Sequence, residues 1–76
     1  MKTEEIQALI EAALPGSDVT VTGDGRHFEA LVVSDAFSGK TPIQRHRMVL
    51  EAVHAHIASE ELHAISIKAR TTAENA

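Results

Sequence analysis

Val19-Thr20-Val21-Thr22, Gly23-Asp24-Gly25-Arg26 and the run from His27 to Ser34, read together, decide the fold. The strict alternation in the first piece has the period of a strand with one buried face, and the third piece is rich in strand formers. Four residues with two glycines between such runs make a hairpin loop, so the runs read as antiparallel neighbours.

Outward toward the N-terminus, Ile6, Leu9, Ile10 and Ala13 recur at helical spacing. Thr3 reads as the N-cap, with Glu4 and Glu5 in the first turn, where the helix dipole favours negative charge. Leu14-Pro15-Gly16 ends this helix, because the residue before proline avoids the α region and glycine lets the backbone turn.

Toward the C-terminus, Ser34-Asp35 starts a short helical turn through Phe37, Gly39 breaks it, and Thr41-Pro42 supplies an N-cap and first residue for a longer helix to about Ile57. At 100° per residue, Ile43, His46, Leu50, Val53 and Ile57 fall within an arc of roughly 60°, the face expected to pack on the sheet, with Met48 nearly opposite. Leu62 to Lys68 reads as a third strand with Ile65 and Ile67 on one side, and 71–76 as a small polar tail that frays. The expectation is one α+β domain over residues 1–76, of order αββ(α)αβ, with a three-stranded mixed sheet and helices on one face. A strand, a helical crossover and a second strand in one sheet run parallel. If the second and third strands are neighbours, about 4.8 Å apart, His27 and His63 meet at one rim.

With 76 residues there is room for one core, and 43% hydrophobic content with two Phe and no Trp or Tyr means that Val, Ile, Leu and Ala build it. The absence of cysteine removes disulfides, a thiolate nucleophile and thiolate metal ligands, so a soft-metal site must borrow sulfur from another molecule. A net charge of -4 and a pI near 5.6 oppose non-specific nucleic-acid binding, although Lys40, Arg45 and Arg47 form a local basic segment. The acidic N-terminus resembles no signal or transit peptide, and no apolar run approaches the roughly 20 residues that span a bilayer, which reads as a cytoplasmic protein. No phosphate loop, Gly-x-Ser-x-Gly elbow or paired-histidine zinc spacing is present, so the chain reads as a non-enzyme.

Four segments in this order resemble the BolA-like family: Gly23-Asp24-Gly25-Arg26-His27-Phe28, Val32 through Lys40, Arg45-His46-Arg47-Met48-Val49, and Leu62-His63-Ala64-Ile65-Ser66. Together they cover most of the chain, and the short loop after Gly23 looks closest to the compact acid-stress branch. The resemblance implies a type II KH-like fold. It also implies a two-iron two-sulfur cluster shared with a monothiol glutaredoxin, whose cysteine and glutathione supply sulfur, and no cofactor when the chain is isolated. On this side the ligands implied are His63, from the late histidine-alanine pair, and His27, from the hairpin loop. Mixed histidine and cysteine ligation of such clusters is chemically sound.

Each site residue also has a plainer reading. His63 reads otherwise as a structural polar group at a strand start, and His27 as a solvated loop residue. His46 lies in the apolar arc and reads as core or cap, while His54 and His56 diverge by about 200° on a helix and cannot grip one ion. Gly39, Lys40, Arg45, Arg47 and Met48 form a candidate face for nucleic acid or a partner, with Arg45 the more exposed arginine. A KH module clamps phosphates with Gly-X-X-Gly, whereas Gly39-Lys40-Thr41-Pro42 lacks the second glycine. That departure counts against close phosphate approach, and a KH-like DNA-binding regulator of stress response and cell morphology is the alternative function, with a weak homodimer among the partner expectations.

Overall fold

The computed structural model describes residues 2–24, 27–54 and 65–75. Helix α1 (Thr3–Ala13) leads into strands β1 (Asp18–Gly23) and β2 (Phe28–Val33). A 3₁₀ turn (Asp35–Phe37), helix α2 (Pro42–His54), strand β3 (Ile65–Arg70) and a short helical turn α3 (Thr72–Asn75) follow. The strands lie in the order β1-β2-β3. β1 and β2 are antiparallel, from Gly23 opposite Phe28 to Asp18 opposite Val33, and β2 and β3 are parallel, from Phe28 beside Ile65 to Val33 beside Arg70. The order and the mixed three-stranded sheet match the expectation from sequence.

Period-two alternation builds the core. Val19 and Val21, Phe28, Ala30 and Val32 are buried on one sheet face, and Ile65, Ile67 and Ala69 pack partly buried beside them. Ile6 and Ile10 of α1, Phe37 of the 3₁₀ turn, and Val49 and Val53 of α2 close the other side. Each large side chain buried in full contributes roughly 1.5–3 kcal/mol. The opposite sheet face presents Thr20, Thr22, Glu29, Ser66, Lys68 and Arg70 as exposed residues around half-buried Leu31.

Local signals set most boundaries. Gly16 and Gly39 have φ of +83° and +76°, the left-handed region where glycine carries no Cβ penalty, and they end α1 and the 3₁₀ turn. Ser34 Oγ accepts from the Ala36 N–H at 3.1 Å and caps that turn. Thr41 and Gln44 form a reciprocal capping box: the Gln44 N–H donates to Thr41 Oγ1 at 3.2 Å and the Thr41 N–H to Gln44 Oε1 at 2.9 Å.

Three expectations change. The α1 N-cap is Lys2, one residue before Thr3, because the Glu5 carboxylate reaches back to accept the Lys2 N–H at 3.4 Å. Helix α2 is rotated from the expected face: Ile43 is 67% exposed and His46 is exposed, whereas Met48, expected on the outside, packs against the core. Val53 is buried and Leu50 half-buried as expected, but the covered stripe centres on Arg45, Met48, Val49, Ala52 and Val53, itself a helical i, i+3, i+4, i+7, i+8 pattern. It is concealed in sequence by opening on an arginine, whose long apolar stem covers surface like a hydrophobe. Ile57 lies outside the described residues. Residues 71–75, expected as a fraying tail, carry α3 and side-chain ties to Arg45 and Asp35.

Candidate functional site

The hairpin end presents the first candidate. Gly23 and Phe28 are the last strand pair, and beyond them the Asp24 N–H donates to the His27 carbonyl at 3.4 Å. The His27 N–H donates in return to Asp24 Oδ1 at 3.0 Å, a side-chain closure that fixes the backbone at His27. Gly23 is glycine for a steric reason: a Cβ there would lie 2.6 Å from the His27 carbonyl oxygen and 2.7 Å from Phe28 Cδ1. His27 is thus an exposed residue seated directly before the fully buried Phe28.

Because Phe28 pairs with Ile65 in a parallel register, the chain enters β3 at the sheet end where His27 leads into β2. His63 precedes β3 by two residues in sequence and lies outside the described residues, as do Gly25, Arg26 and His56. The strand adjacency that sequence left open is present. His27 is exposed at this sheet end, and histidine is a residue type that can ligate iron. Among the described residues, no three His, Cys, Asp or Glu side chains are grouped to hold a metal ion by themselves.

The second candidate face divides into residues held inside and residues left out. Gly39, Lys40 and Arg47 are exposed, while Met48 is half-buried. Arg45, expected to be the more exposed arginine, is the more covered one, with its side chain 14% exposed. Its Nε–H donates to the Lys40 carbonyl at 3.0 Å, and Nη1 donates to the Ala69 carbonyl at 3.2 Å and to Glu74 Oε1 at 2.6 Å. Nη2 completes a two-pronged pair with Glu74 Oε2 at 3.2 Å. Arg45 hydrogen bonding is the main cause that lowers the Glu74 carboxyl to about 2, helped by the Thr71 N–H, which donates to Oε1 at 2.9 Å.

Sequence reading missed Glu74 and Asp35, whose Oδ1 accepts from the Thr72 N–H at 3.2 Å. A signal existed in Thr71-Thr72-Ala73-Glu74, a Thr-x-x-Glu capping pattern, and the Glu74 N–H does donate to Thr71 Oγ1 at 3.2 Å. The capping box at the start of α2 has a further consequence. It uses the Thr41 and Gln44 N–H groups internally, and Pro42 has none to offer, so this helix end is a poor phosphate cradle. No helix among the described residues is long and apolar enough to cross a membrane.

Comparison with known proteins bears on the same region. The family model for BolA-like proteins matches residues 6–74. The acid stress protein IbaG of Escherichia coli K12 is 38% identical over 74 residues, covering 97% of this chain and 88% of the relative. A bolA protein homologue from Coxiella burnetii has a structure that superposes with a TM-score of 0.85 at 41% identity, covering 99% of this chain and 96% of the other. The BolA domain of SufE1 from Arabidopsis thaliana superposes with a TM-score of 0.79 at 32% identity, over 95% and 93% of the two chains. Fold order, hairpin loop and these similarities agree, and the chain belongs to the BolA-like family.

Proposed function

We propose that this chain is a non-enzymatic cytoplasmic adaptor that shares a two-iron two-sulfur cluster with a monothiol glutaredoxin, in iron-sulfur assembly, trafficking or stress sensing. The observation that carries the reading is the exposed His27, held by Asp24 at the sheet end where the chain enters β3, with His63 two residues upstream of that strand in sequence. His63 and His27 serve as imidazole ligands, and the partner's cysteine and glutathione supply thiolate. When bound, the cluster provides redox and transfer chemistry, and this chain presents its two imidazoles and the surface around them. Similarity to a protein named for acid stress supports a stress-related role.

The test mixes the purified protein with a monothiol glutaredoxin, glutathione, iron and sulfide, and records visible absorption, circular dichroism and mass by size exclusion. A one-to-one complex is expected, with a spectrum unlike that of the glutaredoxin homodimer. His63→Ala should alter that spectrum, and an unchanged spectrum in this variant would remove the ligand assignment. If the glutaredoxin spectrum never changes and no heterodimer forms, the adaptor reading is abandoned.

DNA binding through the Gly39 to Arg47 face ranks second. Exposed Lys40 and Arg47 favour it, while the engagement of Arg45 by Glu74 and the internally satisfied start of α2 count against it. Salt-dependent DNA binding lost on Lys40→Ala and Arg47→Ala substitution would promote it.

A further inference from the structure

The Arg45–Glu74 contact joins a receptor held by the body of the domain to a carboxylate carried on a short exposed turn. Arg45 is held independently of the C-terminal turn: its stem lies in the covered stripe of α2, and two of its N–H groups donate to the Lys40 and Ala69 carbonyls. Glu74 sits on α3, which spans four residues and buries none of them. Besides Arg45, the tie between that turn and the domain among the described residues is the Thr72 N–H bond to Asp35. That single exposed hydrogen bond is weak because solvent competes for both groups, so the Arg45 pair is the main tie that release of the turn must break. If the turn lifts, the guanidinium keeps its bonds to the Lys40 and Ala69 carbonyls but loses its counter-charge, and a covered charge without one favours a replacement.

We infer that Arg45 is an oxyanion-binding site that the chain keeps closed with its own Glu74, and that it accepts a carboxylate from another molecule when the C-terminal turn swings away. A carboxylate suits the site because two coplanar oxygens match Nη1 and Nη2, the arrangement Glu74 already adopts. Asp35, which accepts the Thr72 N–H, places a negative charge beside the turn, and because repulsion scales with charge it opposes a singly charged carboxylate less than a phosphate dianion. The carboxylate could come from a small organic acid or from an acidic segment of a partner protein. In either case Lys40, exposed and contributing its carbonyl to Arg45, adds positive charge at the rim.

The test follows the Arg45 Nε–H resonance by nitrogen-proton NMR in the full chain, the Glu74→Ala variant and the more conservative Glu74→Gln variant. Sodium acetate is titrated at constant ionic strength against a chloride control. In both variants the Nε–H should remain protected by the Lys40 carbonyl and should shift saturably with acetate. Half-saturation should come at about tenfold lower concentration than in the unmodified chain, since an internal competitor reduces apparent affinity by the fraction of closed molecules. Inorganic phosphate should compete less well, and Arg45→Lys should abolish saturation. A capped peptide with the sequence of residues 71–75 separates the sources: binding tighter than acetate assigns an acidic protein segment, and equal binding assigns a small carboxylate. Acetate shifts no larger than the chloride control, or loss of Nε–H protection in both Glu74 variants, would overturn the inference and leave the pair as a structural contact.

Discussion

Gly23→Ala tests the geometry that presents His27. The new Cβ would lie 2.6 Å from the His27 carbonyl oxygen, 2.7 Å from Phe28 Cδ1 and 3.2 Å from Phe28 Cα. Comfortable contacts between such atoms begin near 3.5 Å, so the two closest overlaps approach about 1 Å. Neither neighbour has a cheap escape. Phe28 is 1% exposed in the core, and the His27 carbonyl accepts the Asp24 N–H across the loop. Forcing a methyl group into a filled site costs about 1–3 kcal/mol. At about 2 kcal/mol, Tm should fall by roughly 8–16 °C for a domain of this size. Thermal unfolding followed by far-ultraviolet circular dichroism measures the shift, and faster amide exchange at His27 would report the opened loop. The opposite sign is also well defined: at a position that tolerates a side chain, Gly→Ala stabilises by about 0.4–1 kcal/mol through the unfolded chain. A rise in Tm would therefore refute the close approach at Gly23.

The remaining expectations concern a cap, a helix face and a titration. Ser34→Ala removes the acceptor of the Ala36 N–H, and urea unfolding should show a loss of about 0.5–2 kcal/mol. Val49→Ala, at a fully buried position, should cost about 2 kcal/mol through lost burial and a residual cavity, whereas Ile43→Ser at the exposed position should leave the urea midpoint nearly unchanged. Equal losses at both positions would show that α2 faces the sheet differently. Glu74 has a folded-state value of about 2 against a usual 4.5, so its charged form stabilises the fold above pH 4.5 and this contribution disappears as pH falls toward 2. The Tm difference between the unmodified chain and Glu74→Gln should be steady above pH 4.5 and close toward pH 2.

Much of this architecture is legible residue by residue. The alternation from Val19 to Thr22, the glycines at 16 and 39, and the Thr41-Pro42 helix start depend on backbone sterics and local hydrogen bonds, which act within a few residues of chain. The parallel relation of β2 and β3 also follows locally, from the geometry of a crossover connection. The BolA-like resemblance rests on motifs of the same local kind.

Other features depend on distances through space. The rotation of α2 is one: Ile43 and His46 complete an arc that looks apolar on paper, yet packing chose the stripe beginning at Arg45, whose stem is covered while its guanidinium meets carbonyls at Lys40 and Ala69. Another is the pairing of Arg45 with Glu74, 29 residues apart, which turns an apparently exposed cation into an occupied one. The close approach at Gly23 likewise depends on how tightly β1 and β2 meet around Phe28. The sequence by itself determined the elements, their order and the candidate histidines, because short-range sterics and periodicity are written along the chain. Tertiary structure alone decided which helix face is buried and which charge is already partnered, because both follow from contacts between residues that chain order keeps apart.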